Sequence, residues 1–138
     1  MFKSITAPSL LFASSLALLM SGCSSAPAAD GGTSGRMIAD GSSFAMQPDE
    51  TVTLSDRSTL RYVNVKSDSR CRPDVQCIHA GNAVLAFESR PSAGSAQSFE
   101  LNSSDQPNSR DLGGMQVTLE SLSFDAAPRA QLKVERSH

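Results

Sequence analysis

The sequence predicts an all-β protein built as a single antiparallel β-sandwich, immunoglobulin-like or closed into a small barrel. Three observations carry this. Apolar and polar residues alternate with period two over most of the chain beyond residue 43. Short β-rich runs are separated by Pro, Gly, Ser and Asp turns. The supply of large apolar residues suits one core. Of 138 residues 39% are hydrophobic, but residues 1–22 concentrate apolar side chains around one charge, Lys3. Beyond them 25 Val, Ile, Leu, Met, Phe and Tyr remain, enough for one domain of about 95 residues and too few for two.

The first element is the segment 1–22. From Leu10 to Met20 run 11 residues without a charge. That length suits a secretory signal and is too short to cross the roughly 30 Å hydrocarbon layer as a helix. Leu19-Met20-Ser21-Gly22-Cys23 resembles the lipobox of bacterial lipoproteins, with Met20 where leucine is commonest. The resemblance implies cleavage before Cys23, a diacylglycerol thioether on its sulfur and acylation of the new amino terminus. Several acyl chains hold a protein on a bilayer more firmly than one. Ser24 in place of Asp after the cysteine resembles the pattern sorted to the Gram-negative outer membrane, which implies a lipid-anchored protein facing the periplasm. The chain has three cysteines. With Cys23 carrying lipid, Cys71 and Cys77 remain to pair, and no odd thiol is left in an oxidising compartment.

Residues 23–43 are rich in Ser, Ala, Gly and Pro, with only Met37 and Ile38 large and apolar. Such a stretch buries too little to offset its ordering entropy and is expected to be a flexible tether reaching about 25 Å. The domain is expected over 44–136. Phe44 and Met46 alternate before a turn at Pro48-Asp49-Glu50, and Val52 and Leu54 before Ser55-Asp56. Thr59–Val65 and Asn82–Glu88 are apolar on both faces, as central strands are. Ser98–Leu101 follows a polar turn, and Leu132 and Val134 alternate near the end, where Lys133 is expected to guard a sheet edge. Between Met115 and Phe124 the spacing also fits a helix. Val117-Thr118 and the preceding Gly113-Gly114 favour two strands, or one bent strand whose phase shifts near Glu120-Ser121 as a bulge would shift it. Six to eight short strands result.

Between the two most apolar strands lies the one loop that composition does not explain, Ser67–Asn82. A Cys71–Cys77 bridge would close a small ring worth roughly 2.4 kcal/mol in loop entropy. Pro73 stiffens that ring, and Gly81 permits a left-handed turn into the next strand. The run Ser69-Arg70-Cys71 with Val75-Gln76-Cys77-Ile78-His79-Ala80-Gly81-Asn82-Ala83 resembles a group of small bacterial lipoproteins and exported proteins with no assigned activity. Their pattern is close to D-S-R-C-P-x-x-V-x-C-x-W-A-G-x-A. Arg72-Pro73 replaces the usual Pro-x, and His79 stands where tryptophan is common. The resemblance implies a fold and an address in the envelope, and no chemistry.

Three roles compete for this loop. It is a structural staple, with Asp68 and Arg70 paired across its base as an exposed ion pair worth about 0–1 kcal/mol. Or Cys71, Cys77 and His79 form a soft-metal or redox site, against which stand the unusual spacing, the missing fourth ligand and the oxidising compartment. Or a rigid loop bearing Arg70, Arg72, Pro73, Asp74 and His79 inserts into a partner's cleft, as small protease inhibitors do, with preorganisation cutting the entropy of binding.

Enzymatic chemistry finds little support. Of two histidines one is terminal, leaving His79 as the sole candidate base. No nucleophile elbow, zinc-protease helix or phosphate-cradling glycine loop occurs, and no cofactor is implied. With one tyrosine and no tryptophan a sugar-stacking platform is improbable. Removing Lys3 takes the formal charge from −2 to −3, and no basic run marks a nucleic-acid partner. The expected function is a membrane-anchored envelope lipoprotein acting as a binding or assembly module, attached to the bilayer through Cys23 and meeting an envelope protein.

Overall fold

Period-two alternation becomes strand wherever the chain is described, which in the computed structural model is residues 35–138. The strands are β1 (Met37–Ile38), β2 (Ser43–Met46), β3 (Thr51–Leu54), β4 (Thr59–Asp68), β5 (Ala83–Arg90), β6 (Gln97–Asn102), β7 (Ser109–Asp111), β8 (Met115–Leu122) and β9 (Ala130–Arg136). No helix occurs among the described residues, and the fold is all-β. One sheet has the order β1-β3-β4-β5-β6 and the other β2-β9-β8-β7.

The first sheet is mixed rather than purely antiparallel, because β1 runs parallel to β3. This also moves the start of the folded unit. Ile38, expected in the tether, is 5% exposed and belongs to the core. Thr53 N–H donates to Arg36 O at 3.0 Å, and the Arg36 guanidinium donates to Ala45 O at 2.6 Å. Residues 36–43 are therefore held by the fold, and only the earlier part of the expected tether lies outside the described residues. The signal segment and Cys23 lie outside them too.

The two most apolar runs are the central strands β4 and β5, as their two-faced composition implies. Bulges interrupt their ladder between Tyr62 and Asn64 and between Val65 and Ser67, and such insertions bend a strand and increase its twist. The ambiguous segment is one strand, β8, whose register shifts between Leu119 and Ser121. Glu120 is the extra residue. The shift moves burial from odd positions through Leu119 to Leu122, which explains why the spacing also fitted a helix. Lys133 is not on an edge: β9 lies between β2 and β8, and its ammonium pairs with Glu135 at 2.7 Å.

Both sheets send their alternate side chains into one cluster. Leu60, Tyr62, Leu85, Phe87 and Leu101 from the first meet Met46, Met115, Val117, Leu132 and Val134 from the second, all essentially without solvent contact. Each such side chain is worth about 2 kcal/mol relative to exposure. Tyr62, Phe87 and Phe99 stack across three neighbouring strands, with centroids 5.1 and 5.6 Å apart, an arrangement adding about 1 kcal/mol per pair. No buried side-chain nitrogen or oxygen among the described residues lacks a partner.

Candidate functional site

The loop between β4 and β5 begins as a continuation of their ladder. Ser69 N–H donates to Asn82 O and Cys71 N–H to Ala80 O, both at 2.9 Å. Gly81 closes this neck with φ at +69°, and a Cβ there would lie 1.8 Å from Ser69 O. Glycine is thus required on two counts, handedness and the close cross-chain approach. The expected Cys71–Cys77 disulfide is present, with Cα atoms 5.8 Å apart. Inside the ring Val75 N–H donates to Arg72 O at 3.1 Å, making a turn. Val75 O lies 3.1 Å from Cys71 Sγ, a packing contact only, because a disulfide sulfur carries no proton.

A second brace comes from the stretch after β6. Asn82 Oδ1 accepts from Ser103 Oγ and Ser104 N–H, both at 3.1 Å, and Ser104 Oγ donates to Gly81 O at 2.8 Å. The sequence shows no trace of this contact, because three small polar residues and a glycine in two separate loops carry no periodic signal.

The third brace is Arg70, and the expected exposed ion pair is exposed on one side only: Asp68 faces solvent while the Arg70 side chain is covered. The side chain is 9% exposed and its partner Asp68 32%. Nε and Nη2 donate to the two Asp68 oxygens at 2.9 and 2.6 Å. Nη1 donates to Leu122 O at 2.6 Å and Nη2 to Ser123 O at 2.8 Å. The guanidinium carbon sits 4.1 Å from the centre of the Phe124 ring. The planar fork of arginine suits such simultaneous bonding and stacking. Arg70 therefore fastens the disulfide loop of the first sheet to the end of β8 in the second. The Arg70 hydrogen bonds hold the Asp68 carboxyl below its usual range, against a smaller opposing effect of burial.

Tyr62, on the same strand as Asp68, is fully buried. Its hydroxyl donates to Pro128 O at 3.1 Å, tying down the β8–β9 connection. Burial is the main cause that pushes its phenol up to about 12 from 10.0; Arg70 opposes the shift and Asp68 adds to it.

Beyond the braces the loop faces solvent. Arg72, Pro73, Asp74, Val75, Gln76, Cys77, Ile78 and His79 are all exposed. Ile78 is 94% and Val75 52% exposed, an arrangement that contributes nothing to the core. Of the residues singled out from sequence, Arg70 belongs to the support, Cys71 and Cys77 to the frame, and Arg72, Pro73, Asp74 and His79 to the outer surface. Ile78 falls outside the candidates that the sequence singles out, although an isoleucine flanked by Cys77 and His79 is a visible signal.

The chemistry open to this arrangement is limited. The two sulfurs are bonded to each other, so neither is a thiolate ligand in this form. Among the described residues no group of three or more His, Cys, Asp and Glu is placed to hold a metal ion. A broad open depression of about 900 Å³ lies elsewhere, over the outward face of β4–β6, where Arg61, Asn64, Lys66, Glu88 and Glu100 line it. Comparison of the chain with protein-family models, with curated proteins and with solved structures returned no match.

Proposed function

We propose that this chain is a lipid-anchored bacterial envelope lipoprotein, held on the outer membrane through acylated Cys23. In this reading its two sheets pack as one β-sandwich that serves as a non-enzymatic binding or assembly module. The surface it offers an envelope protein is the loop from Arg72 to His79. One observation carries the reading: Ile78, almost wholly exposed, projects from a loop fixed by a disulfide, by the Arg70 fork and by the Asn82 network. A large apolar side chain costs solubility where it is exposed. Held on a rigid frame it loses little entropy when a partner covers it, which is the economy of a preorganised binding anchor. The lipobox-like segment and the pairing of the two remaining cysteines support the address.

The reading is tested by placing a photocrosslinking residue at Ile78 in intact cells, with the exposed Gln47 as control. A discrete protein adduct is expected from position 78 only, and the mature chain is expected to carry acyl mass at Cys23. Equal, diffuse labelling from both positions would count against the loop. An unacylated mature amino terminus would count against the anchor.

A further inference from the structure

We propose that the free edge of β6 pairs antiparallel with β6 of a second copy of this chain, about a two-fold axis passing through Phe99. The hydrogen-bonding phase of β6 carries the argument. Ser103 N–H donates to Ala83 O at 2.9 Å, and the β5–β6 register continues from there through Leu85–Leu101 and Phe87–Phe99. In an antiparallel ladder alternate residues turn their backbone toward one neighbour. Leu101 and Phe99 therefore bond β5, while Asn102, Glu100 and Ser98 face away from it. Asn102 N–H is taken by Pro107 O at 2.9 Å. The N–H and C=O groups of Ser98 and Glu100 have no backbone partner among the described residues.

The opposite side of the molecule is treated differently. There the outward carbonyl of β2, Ala45 O, is capped by the Arg36 guanidinium at 2.6 Å. Exposed strand edges invite pairing unless they are blocked, and β6, at six residues, is the longest of the four edge strands among the described residues.

Self-pairing suits this particular strand. With Phe99 on the axis, Ser98 stands opposite the second copy's Glu100, and the same pair recurs by symmetry. A hydroxyl thus faces a carboxylate on the outward side in both places. Each Glu100 already pairs with Lys66 at 2.6 Å, reached across the small Ala86, so the two carboxylates approach one another neutralised. On the inward side the two Phe99 rings, at the rim of the aromatic stack, meet at the closely spaced position of the ladder.

The test uses the chain from residue 24 onward, which contains every core residue from Ile38 to Val134. Sedimentation up to about millimolar concentration is expected to give a reversible monomer–dimer equilibrium, with amide exchange at Ser98 and Glu100 slowing as concentration rises. Both side chains are exposed, so substitution there spares the fold. Ser98→Lys, facing Glu100 twice, is expected to tighten the dimer about tenfold, and Ser98→Glu to loosen it by a similar factor. A monomer at every concentration overturns the proposal, as does an association indifferent to both substitutions. Protection of the two amides that is independent of concentration also overturns it, since this chain's own preceding residues would then occupy the edge. The amide measurement on the unsubstituted chain stands whatever the variants do.

Discussion

Arg70 concentrates in one side chain what usually takes several. Its guanidinium serves a carboxylate, two main-chain carbonyls from the other sheet and an aromatic face. Lysine has one compact ammonium and cannot span these sites. In Arg70→Lys, Asp68 retains a charge partner, but Leu122 O or Ser123 O is left without a donor in a half-buried setting. The expected loss is about 2–3 kcal/mol in a urea titration with an unchanged slope. A loss below about 0.5 kcal/mol would show that the carbonyl contacts contribute nothing. The Asp68–Arg70 pair was legible from sequence because two residues of opposite charge bracket a loop base. Its burial was not, because the covering group, Phe124 with its neighbouring carbonyls, lies more than fifty positions away. Nothing local records such a contact.

At the scale of the element, the β3–β4 hairpin shows how a turn is written in sequence and where it is strained. Arg57 N–H donates to Leu54 O at 3.0 Å and Leu54 N–H to Ser58 O at 2.8 Å. Between these bonds Arg57 adopts φ of +68°, the left-handed position that three-residue hairpins usually give to glycine. Asp56 steadies the turn by accepting from Ser58 N–H and Oγ at 2.9 and 2.6 Å. The Arg57 side chain is exposed, so Arg57→Gly removes mainly strain. It is expected to raise stability by about 0.5–1 kcal/mol, less than the full left-handed penalty because glycine gives back unfolded-state entropy. Thermal unfolding of the two chains side by side checks it, and a lower melting temperature for the glycine variant would show that Arg57 makes contacts that outweigh its strain. Strands of this kind were legible wherever alternation ran for four residues or more between turn formers, which recovers β2 to β6, β8 and β9. Strands β1 and β7 were not. Met37–Ile38 is too short for a period to register, and its parallel pairing with β3 is non-local. Ser109–Asp111 has no buried residue at all, so it is held by backbone pairing to β8 and by the Asp111 carboxylate, which accepts from Gly113 N–H and Ser137 Oγ. The bulge at Glu120 was legible because it shifts the apolar phase of a long strand.

For the whole molecule, the junction of the two sheets sets how stability responds to pH. Tyr62 and Asp68 meet Arg70 there from the same strand, and their shifts act at opposite ends of the scale. Burial raises the Tyr62 phenol from 10.0 to about 12. Folding therefore favours its neutral form, and the contribution is whole below pH 10 and drains away as pH climbs from 10 toward 12. At a fully buried side chain that interval is worth about 2 kcal/mol. Asp68 behaves in the reverse sense. Its lowered value means that folding favours the carboxylate, so its contribution is whole well above the ordinary 3.8 and is lost as pH falls through the depressed folded value. Stability is expected to hold level from mildly acid to mildly alkaline solution and to fall on both sides. The tyrosine part of the alkaline limb can be followed directly, since the chain has one tyrosine and no tryptophan, while Lys133, raised by its hydrogen bond to Glu135, adds a loss of the same sign. Tyrosinate absorbance then reports this residue alone, and in the folded protein it should appear only as unfolding begins. Tyr62→Phe should cost about 1 kcal/mol at neutral pH through the lost bond to Pro128 O and should flatten the limb above pH 10. Were the phenol of the folded chain to ionise at its ordinary value, the burial of Tyr62 and its hydrogen bond to Pro128 O would be refuted.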